Sequence, residues 1–340
     1  MDNYLEYYYK KYPKSELIDF LKLTYQATFG TGHNMDTPSV SLLKLKEEIA
    51  NLKPVDFYED LYDYISFDYA RINLRVYKMY NLNVNLLNES YLNTSYMFVD
   101  NNKTFTNEVD ILNSFLTSKS FDTEKLYDYF EQIEDSEFTN LPHSDVYIDN
   151  YQPSYVVIHQ KYLSEELKYY QIRHYLESFK KDKLRFFAVE GKSASGKSTI
   201  ANLLRKEHDI TLVHVDDFFD HHNEEIGINS ERIVKEIITS AVFGNPLKYN
   251  KYDCTSKTYS VELIPKVTST ILLEGVYSAN PILRDFLSGI IYIHINDDIQ
   301  QDRLMRRNRF LYNRFVNEWI PREKRYFEKY NIIANADIIV

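Results

Sequence analysis

The sequence predicts an α/β protein. A sheet with a phosphate-binding loop (P-loop) is expected over residues 181–340, after a mainly α-helical N-terminal domain over residues 1–180. Three observations predict this. Residues 191–198 read G-x-x-x-x-G-K-S, between an apolar, β-branched run and a stretch with apolar residues at helical spacing. Further short apolar runs at 210–215, 270–275 and 290–295 alternate with helical patterns, as a sheet built from crossover units requires. Upstream of residue 180, Leu and Ile recur mostly at helical spacing.

The composition sets bounds. A chain of 340 residues suits two domains, and 44% hydrophobic residues suffice for ordinary cores. A net charge of −10 argues against a general nucleic-acid or anionic-membrane partner. Cys254 is the single cysteine, so no intrachain disulfide is expected and a reducing, cytoplasmic compartment is. The start, Met1-Asp2-Asn3-Tyr4-Leu5-Glu6, lacks the basic and apolar regions of a signal peptide, and no apolar run approaches the roughly 20 residues of a membrane span. The 31 tyrosines, interleaved with Asn, Lys and Ile, read as compositional bias rather than as a stacking surface.

In the first half, Leu17, Ile18, Leu21, Leu23 and Tyr25 mark a helix over 15–27, with Ser15 as its cap. Gly30 and Gly32 break it and place His33 on a turn. Pro38 begins a second helix through Leu42, Leu45 and Ile49. Segment 65–74 carries Arg71 and Asn73 among apolar residues. Helices are expected over 74–87, 109–116, 122–133 and 164–180, with a polar, aromatic loop containing His143 over 141–155. Two readings of His33, Arg71, Asn73 and His143 stand. They meet in one cleft as acid, base and anion clamp, or each is a separate hydrogen-bonded structural residue. Two His and scattered carboxylates lack a metal-ligand spacing.

In the second half, the strand expected over 184–190 feeds the P-loop. Gly191 and Gly196 permit backbone angles that a side chain forbids. The amides of Ser193, Ala194, Ser195, Gly196, Lys197, Ser198 and Thr199, at a helix N-terminus, favour an anion. Lys197 is expected on the β- and γ-phosphates of ATP, and the Ser198 hydroxyl on Mg²⁺. The strand over 210–215 ends in Asp216-Asp217-Phe218-Phe219. Ligands of open α/β sheets sit at the carboxyl ends of strands, so Asp216 is the expected general base, close enough to the metal to bind it through water. Asp217 is expected to be structural, and the loop with His221 and His222 to border the acceptor pocket.

Asn229 or Ser230 caps a helix carrying Ile233, Ile237 and Ile238, which Gly244-Asn245-Pro246 ends. A strand pair follows over 247–261. The strand over 270–275 presents Glu274 as the second metal-linked carboxylate, and Gly275 lets the chain turn away. Pro281 opens a helix, and 290–295 is another strand. Asp297 or Asp298 caps a helix over 299–310 that holds Arg303, Arg306, Arg307 and Arg309, with Arg314 beyond. This cluster is either a lid over phosphates, with Arg306 and Arg307 as catalytic phosphate contacts, or a solvated basic face. Residues around Trp319, Pro321, Tyr326 and Phe327 suggest a helix packed on the sheet, and 336–340 a last strand.

From about residue 184 to 340, the sequence resembles the uridine kinase and phosphoribulokinase family of P-loop kinases. The resemblance rests on the P-loop, Asp216 with Phe218-Phe219, L-L-E-G at 272–275, R-L-M-R-R at 303–307 and A-D-I-I at 336–339. It implies a P-loop doubly wound parallel sheet, ATP with Mg²⁺ and transfer of the γ-phosphoryl group to a hydroxyl of a nucleoside-, sugar- or vitamin-like molecule. It also implies Asp216 as catalytic aspartate and Glu274 as metal-linked glutamate. Two departures touch the acceptor: Phe219 stands where uridine kinases usually carry tyrosine, and their D-x-P-x-A-F-D stretch is absent, with 228–232 in its place. The first half loosely resembles a domain of bacterial proteins of unassigned function, through G-x-G-H at 30–33, R-x-N at 71–73 and the string from His143 to Tyr155. The competing reading is a nucleotide-gated sensor whose first domain carries the output. The expected partners are a small-molecule hydroxyl acceptor and, in a possible homo-oligomer, a second copy of the chain.

Overall fold

The computed structural model describes residues 2–31, 37–53, 59–97, 102–134, 141–180, 182–223, 225–253, 256–307, 309 and 312–340. His33 and Cys254 lie outside the described residues. The chain divides into two compact units, Met1–Gln171 and Ile172–Val340.

The first unit is helical around a small antiparallel sheet. The sheet, which the sequence did not disclose, has strands β1 (Tyr62–Tyr64), β2 (Tyr69–Asn73) and β3 (Tyr155–His159) in that order. Segment 65–74 therefore supplies a strand, and the expected loop over 141–155 holds a helix, Asp145–Tyr151, before β3 begins. Ser144 caps that helix, its Oγ accepting from the Tyr147 amide at 3.0 Å. A first helix, Asp2–Lys11, also escaped the sequence reading. Leu5 and Tyr8 form its buried stripe, and tyrosines standing in for aliphatic residues hid the period. The helix Leu17–Phe29 starts one residue later than expected. Glu16 is its cap residue, its amide donating to Asp19 Oδ2 at 2.9 Å, while Ser15 Oγ donates back to the Tyr12 carbonyl. The core collects Phe20, Leu21, Phe105, Val109, Leu112 and Leu116 between helices, an interhelical apolar seam of the usual kind.

The second unit contains the expected parallel sheet. Its strands are β4 (Arg185–Gly191), β5 (Thr211–His214), β8 (Thr270–Glu274), β9 (Leu287–Ile293) and β10 (Ile338–Ile339). An antiparallel hairpin, β6 (Leu247–Asp253) with β7 (Thr258–Ile264), is inserted between β5 and β8. The order β10-β9-β4-β8-β5 places β4 at the centre and winds the chain outward on both sides of it. Every pair in this sheet is parallel, and its strands are near-continuous apolar runs because helices cover it. Phe186, Val213, Ile271 and Leu273 pack with Ile233, Ile237 and Ile238 of the helical stretch that Asn229 caps. Ala188, Ile290 and Tyr292 pack with Tyr326 and Phe327 of the helix Ile320–Lys329. Phe187, one residue out of step, meets Tyr175 and Phe179 edge to face.

The register sets the site. Val189 lies opposite Glu274, and Glu274 opposite His214. Three strand ends thus finish side by side beneath the loop that leaves β4.

Candidate functional site

The P-loop is shaped by two glycines that nothing else replaces. At Gly191, φ is 142°, and an added Cβ would sit 2.4 Å from the Ile293 carbonyl oxygen. Gly196, at φ 101°, precedes the helix Lys197–Glu207. Between them Ala194 holds φ 63°, a strained value for a residue with a side chain, of the sort kept where a backbone must face a ligand. Lys197 is 6% exposed, and its Nζ donates to the carbonyls of Gly191 and Lys192 at 2.8 Å each. The Ser195 hydroxyl is buried without a hydrogen-bond partner. Ser198 and Thr199 are exposed on the first turn.

The two expected carboxylates lie beside this loop. Ser198 Oγ donates to Glu274 Oε1 at 2.9 Å, joining the loop to the end of β8. The other Glu274 oxygen meets His214 Nδ1 at 2.6 Å. Burial raises the Glu274 carboxyl, but the bonds from His214 and Ser198 and the Lys197 charge outweigh it and hold the group below its ordinary value. His214 is raised in turn, chiefly by its bond to Glu274. Asp216 follows β5 directly. Asp216 is exposed at its surface, but the protein around it takes hydration from its carboxyl and, with the nearby Glu274 charge, pushes it up to about 6. Gly275, at φ 142°, makes this proximity feasible: a Cβ there would lie 2.5 Å from Val215 Cγ2 and 3.3 Å from Asp216 Oδ1. Asp217 points away, accepting from Tyr249 at 3.1 Å and pairing with Lys251.

The arginine helix, Asp297–Arg307, is placed differently from the expectation. Arg303 is the residue against the P-loop, with Nη1 3.3 Å from the Ala194 carbonyl and 3.4 Å from that of Ser195. Arg306 is 79% exposed in its side chain and forms an i, i+4 pair with Asp302, and Arg307 is exposed. The helix turns its first arginine inward because Arg303 shares a face with Gln300 and lies next to buried Leu304, and Gln300 donates to the Ser193 carbonyl. Asp297, an expected cap, pairs with Lys192 and Lys324.

Three further residues were missed from sequence. Glu323, on the helix Ile320–Lys329, accepts from the Ser193 amide at 3.0 Å and from the Ser193 hydroxyl. Burial raises its carboxyl against those bonds. Tyr277 sits at φ 78°, on a turn whose amides at 277 and 279 donate to buried Glu190 at 3.1 and 2.9 Å. Arg322 approaches Gly227 alongside Phe219 and Tyr277. His221 bonds to Tyr252 at 2.8 Å, and Phe219 stacks on that same ring, so the 219–222 loop carries an aromatic wall. The strained φ of Tyr277 has no sequence signal beyond the Gly275 two positions earlier.

In the first unit, Arg71 and Asn73 line one cavity, and His143 stands one hydrogen bond behind it through Tyr155. Among the described residues no helix is long and apolar enough to cross a membrane.

No family model matches the sequence, and no curated protein does. Among solved structures, the chain is similar to a possible uridine kinase from Bacillus stearothermophilus, with 19% identity over 51% of this chain and 98% of that one, at a TM-score of 0.42. It is also similar to a kinase assigned to a fructose transport system from Silicibacter sp. TM1040, with 16% identity, 51% and 98% coverage and a TM-score of 0.38. A sugar kinase from Janibacter sp. HTCC2649 gives 18% identity, 37% and 68% coverage and a TM-score of 0.24.

Proposed function

We propose that the second unit is a P-loop phosphotransferase that moves the γ-phosphoryl group of ATP to a hydroxyl of a small molecule. The observation that carries this reading is the 2.9 Å bond from Ser198 Oγ to Glu274 Oε1, with Asp216 near enough for the charge of the same glutamate to raise it. It ties a phosphate-binding loop to two strand-end carboxylates, the minimum set for positioning a triphosphate, its cation and a nucleophile.

Ser198, Glu274 and Asp216 offer oxygen only, the donor type that Mg²⁺ takes. Among the described residues no three His, Cys, Asp or Glu side chains are grouped to hold a metal alone, so phosphate oxygens and water would complete the ion's shell. When bound, Mg²⁺ supplies neutralisation of phosphate charge. The protein supplies the rest. The loop amides hold the β-phosphate, and Lys197 swings from the Gly191 and Lys192 carbonyls onto phosphate oxygens. Asp216 takes the proton of the acceptor hydroxyl as its oxygen bonds to the γ-phosphorus, and the bridging bond breaks with its electron pair leaving on ADP. A carboxyl near 6 is poised for this at neutral pH, mostly ionised yet basic enough to accept. The wall formed by Phe219, Tyr252 and Tyr277, with Arg322 at its edge, is the proposed acceptor side, and its lack of a tyrosine hydroxyl at 219 argues against assuming uridine.

The test is a metabolite screen for ADP release by the purified protein, with Lys197→Ala as the blank. Release that depends on one class of alcohol, and that Lys197→Ala abolishes, is expected. A rate indifferent to every acceptor would point instead to the nucleotide-gated sensor.

A further inference from the structure

The first unit encloses a cavity of about 290 Å³ that the phosphotransfer reading does not use. Its walls carry the rings of Tyr12, Tyr147, Tyr151 and Tyr155, the carboxylates of Glu59, Asp60 and Asp63, and three cations, Lys11, Arg71 and Arg75. Two of these are met by carboxylates on the same wall. Lys11 pairs with Asp60 and Asp63, and Arg75 with Glu59 at 3.3 Å. Arg71 is not met by any carboxylate among the described residues. It is 6% exposed, its Nε donates to Gln26 Oε1 at 2.8 Å, its Nη1 to the Tyr8 hydroxyl, and its Nη2 to nothing.

The fold holds this guanidinium in place with some elaboration. Its carbon lies 5.0 Å from the centre of the Tyr8 ring and 4.4 Å from that of Tyr155, a sandwich between two aromatic faces. Tyr8 is fixed by Tyr147, hydroxyl to hydroxyl at 2.6 Å. Tyr155 is fixed from behind: its hydroxyl meets His143 Nε2 at 2.7 Å, and His143 Nδ1 meets Asp19 Oδ1 at 2.7 Å. Asp19 is fully buried and also accepts from Ser144 through its amide and hydroxyl. With Asp19 ionised, Nδ1 carries the imidazole proton and Nε2 accepts from Tyr155. A buried cation without a counter-ion is costly, and a polar network laid down to orient one is the arrangement of a binding site rather than of a core.

We propose that this cavity binds a small organic anion, its carboxylate or phosphate against the Arg71 guanidinium and its flat or apolar body among the tyrosine rings. The inference is independent of the phosphotransfer reading, since every residue in it belongs to the first unit. Arg71 lines the cavity with Nε and Nη1 already donating, and its buried Nη2 lacks the acceptor that a carboxylate or phosphate oxygen reaching it would supply; the cavity volume suits a single-ring molecule.

The test uses the full chain carrying Lys197→Ala, which weakens phosphate binding at the P-loop. Benzoate, phenyl phosphate and, as a cationic control of similar shape, benzamidine are titrated by calorimetry. Saturable binding of benzoate or phenyl phosphate, one preferred over the other, and none of benzamidine, is expected, and the preference tells carboxylate from phosphate. Arg71→Met should weaken the preferred anion by at least about tenfold. Because Arg71 is buried and its loss risks misfolding, Ser154→Trp at the cavity margin serves as a second variant. It keeps Arg71 and narrows the cavity at the loss of the 2.9 Å bond from Ser154 Oγ to Glu48, and should abolish binding while the protein still melts cooperatively. No saturable binding of either anion, equal binding of benzamidine, or binding that survives Ser154→Trp would overturn the proposal.

Discussion

Asp216 illustrates how position in a fold sets the chemistry of one carboxylate. In water it would titrate near 4; crowded at the end of β5 beside Glu274 it is pushed up to about 6. A base must be ionised to act, so kcat/KM should rise with pH through about 6 and level off above it; a flat profile from pH 5 to 8 would remove Asp216 from that role. Asp216→Asn should lower kcat by about 10²- to 10⁴-fold with little change in the binding of ATP, measured as ADP release and by nucleotide titration. Glu323 works in the opposite sense. Its carboxylate accepts from the Ser193 amide, which the proposed reading gives to a phosphate oxygen, and adds a like charge beside it. Glu323→Gln should therefore tighten ATP binding about tenfold at pH 8. Burial raises the Glu323 carboxyl, so the wild-type protein gains a proton there as pH falls, and the gap between the two proteins should narrow toward acid.

At the scale of elements, the turn after β8 joins two requirements in one glycine. Gly275 must hold φ 142° and must leave room for Val215 and the Asp216 carboxylate. Gly275→Ala should cost roughly 1–3 kcal/mol from backbone strain, plus the displacement of Val215, read as a lowered denaturant midpoint. It should also slow phosphotransfer by moving Asp216. The arginine helix teaches a related lesson. Five arginines between 303 and 314 are visible in sequence, but which one faces the loop depends on the rotation of the helix about its axis. Leu304 anchors that rotation in the core, which brings Arg303 to the Ala194 and Ser195 carbonyls and leaves Arg306 on Asp302. Helical periodicity fixes relative angles within the helix, and only packing fixes where they point.

At the scale of the whole molecule, the buried pair of the first unit makes its stability depend on pH. Burial, first, and the neighbouring Arg71 charge depress His143 from 6.5 to about 4. The unfolded chain then binds a proton between about pH 6.5 and 4 that the folded chain refuses, so stability is highest above that window and falls as pH drops through it. The loss reaches a few kcal/mol in that interval. Urea midpoints measured at pH 7 and 4.5 should differ accordingly, and His143→Gln should shrink the difference.

What the sequence by itself determined is what lies contiguous along the chain. The P-loop, the strand before it and the helix after it form one local unit whose backbone angles its own glycines specify. The place of Asp216 and Glu274 at strand ends was legible because apolar runs mark the strands. The remaining partners were decided by tertiary structure alone. Glu323 reaches Ser193 across 130 residues, and His143 reaches Asp19 across 124. Asp19 reads as an ordinary first-turn helix acid until the fold closes over it. The small antiparallel sheet of the first unit stayed hidden because its strands are short and the pairing of β2 with β3, Arg71 opposite Val157, spans a long sequence gap. No hydrophobic period encodes which distant polar side chain will arrive at a given loop. That follows from packing the elements together, when burial leaves each polar group only the partners the closed structure provides.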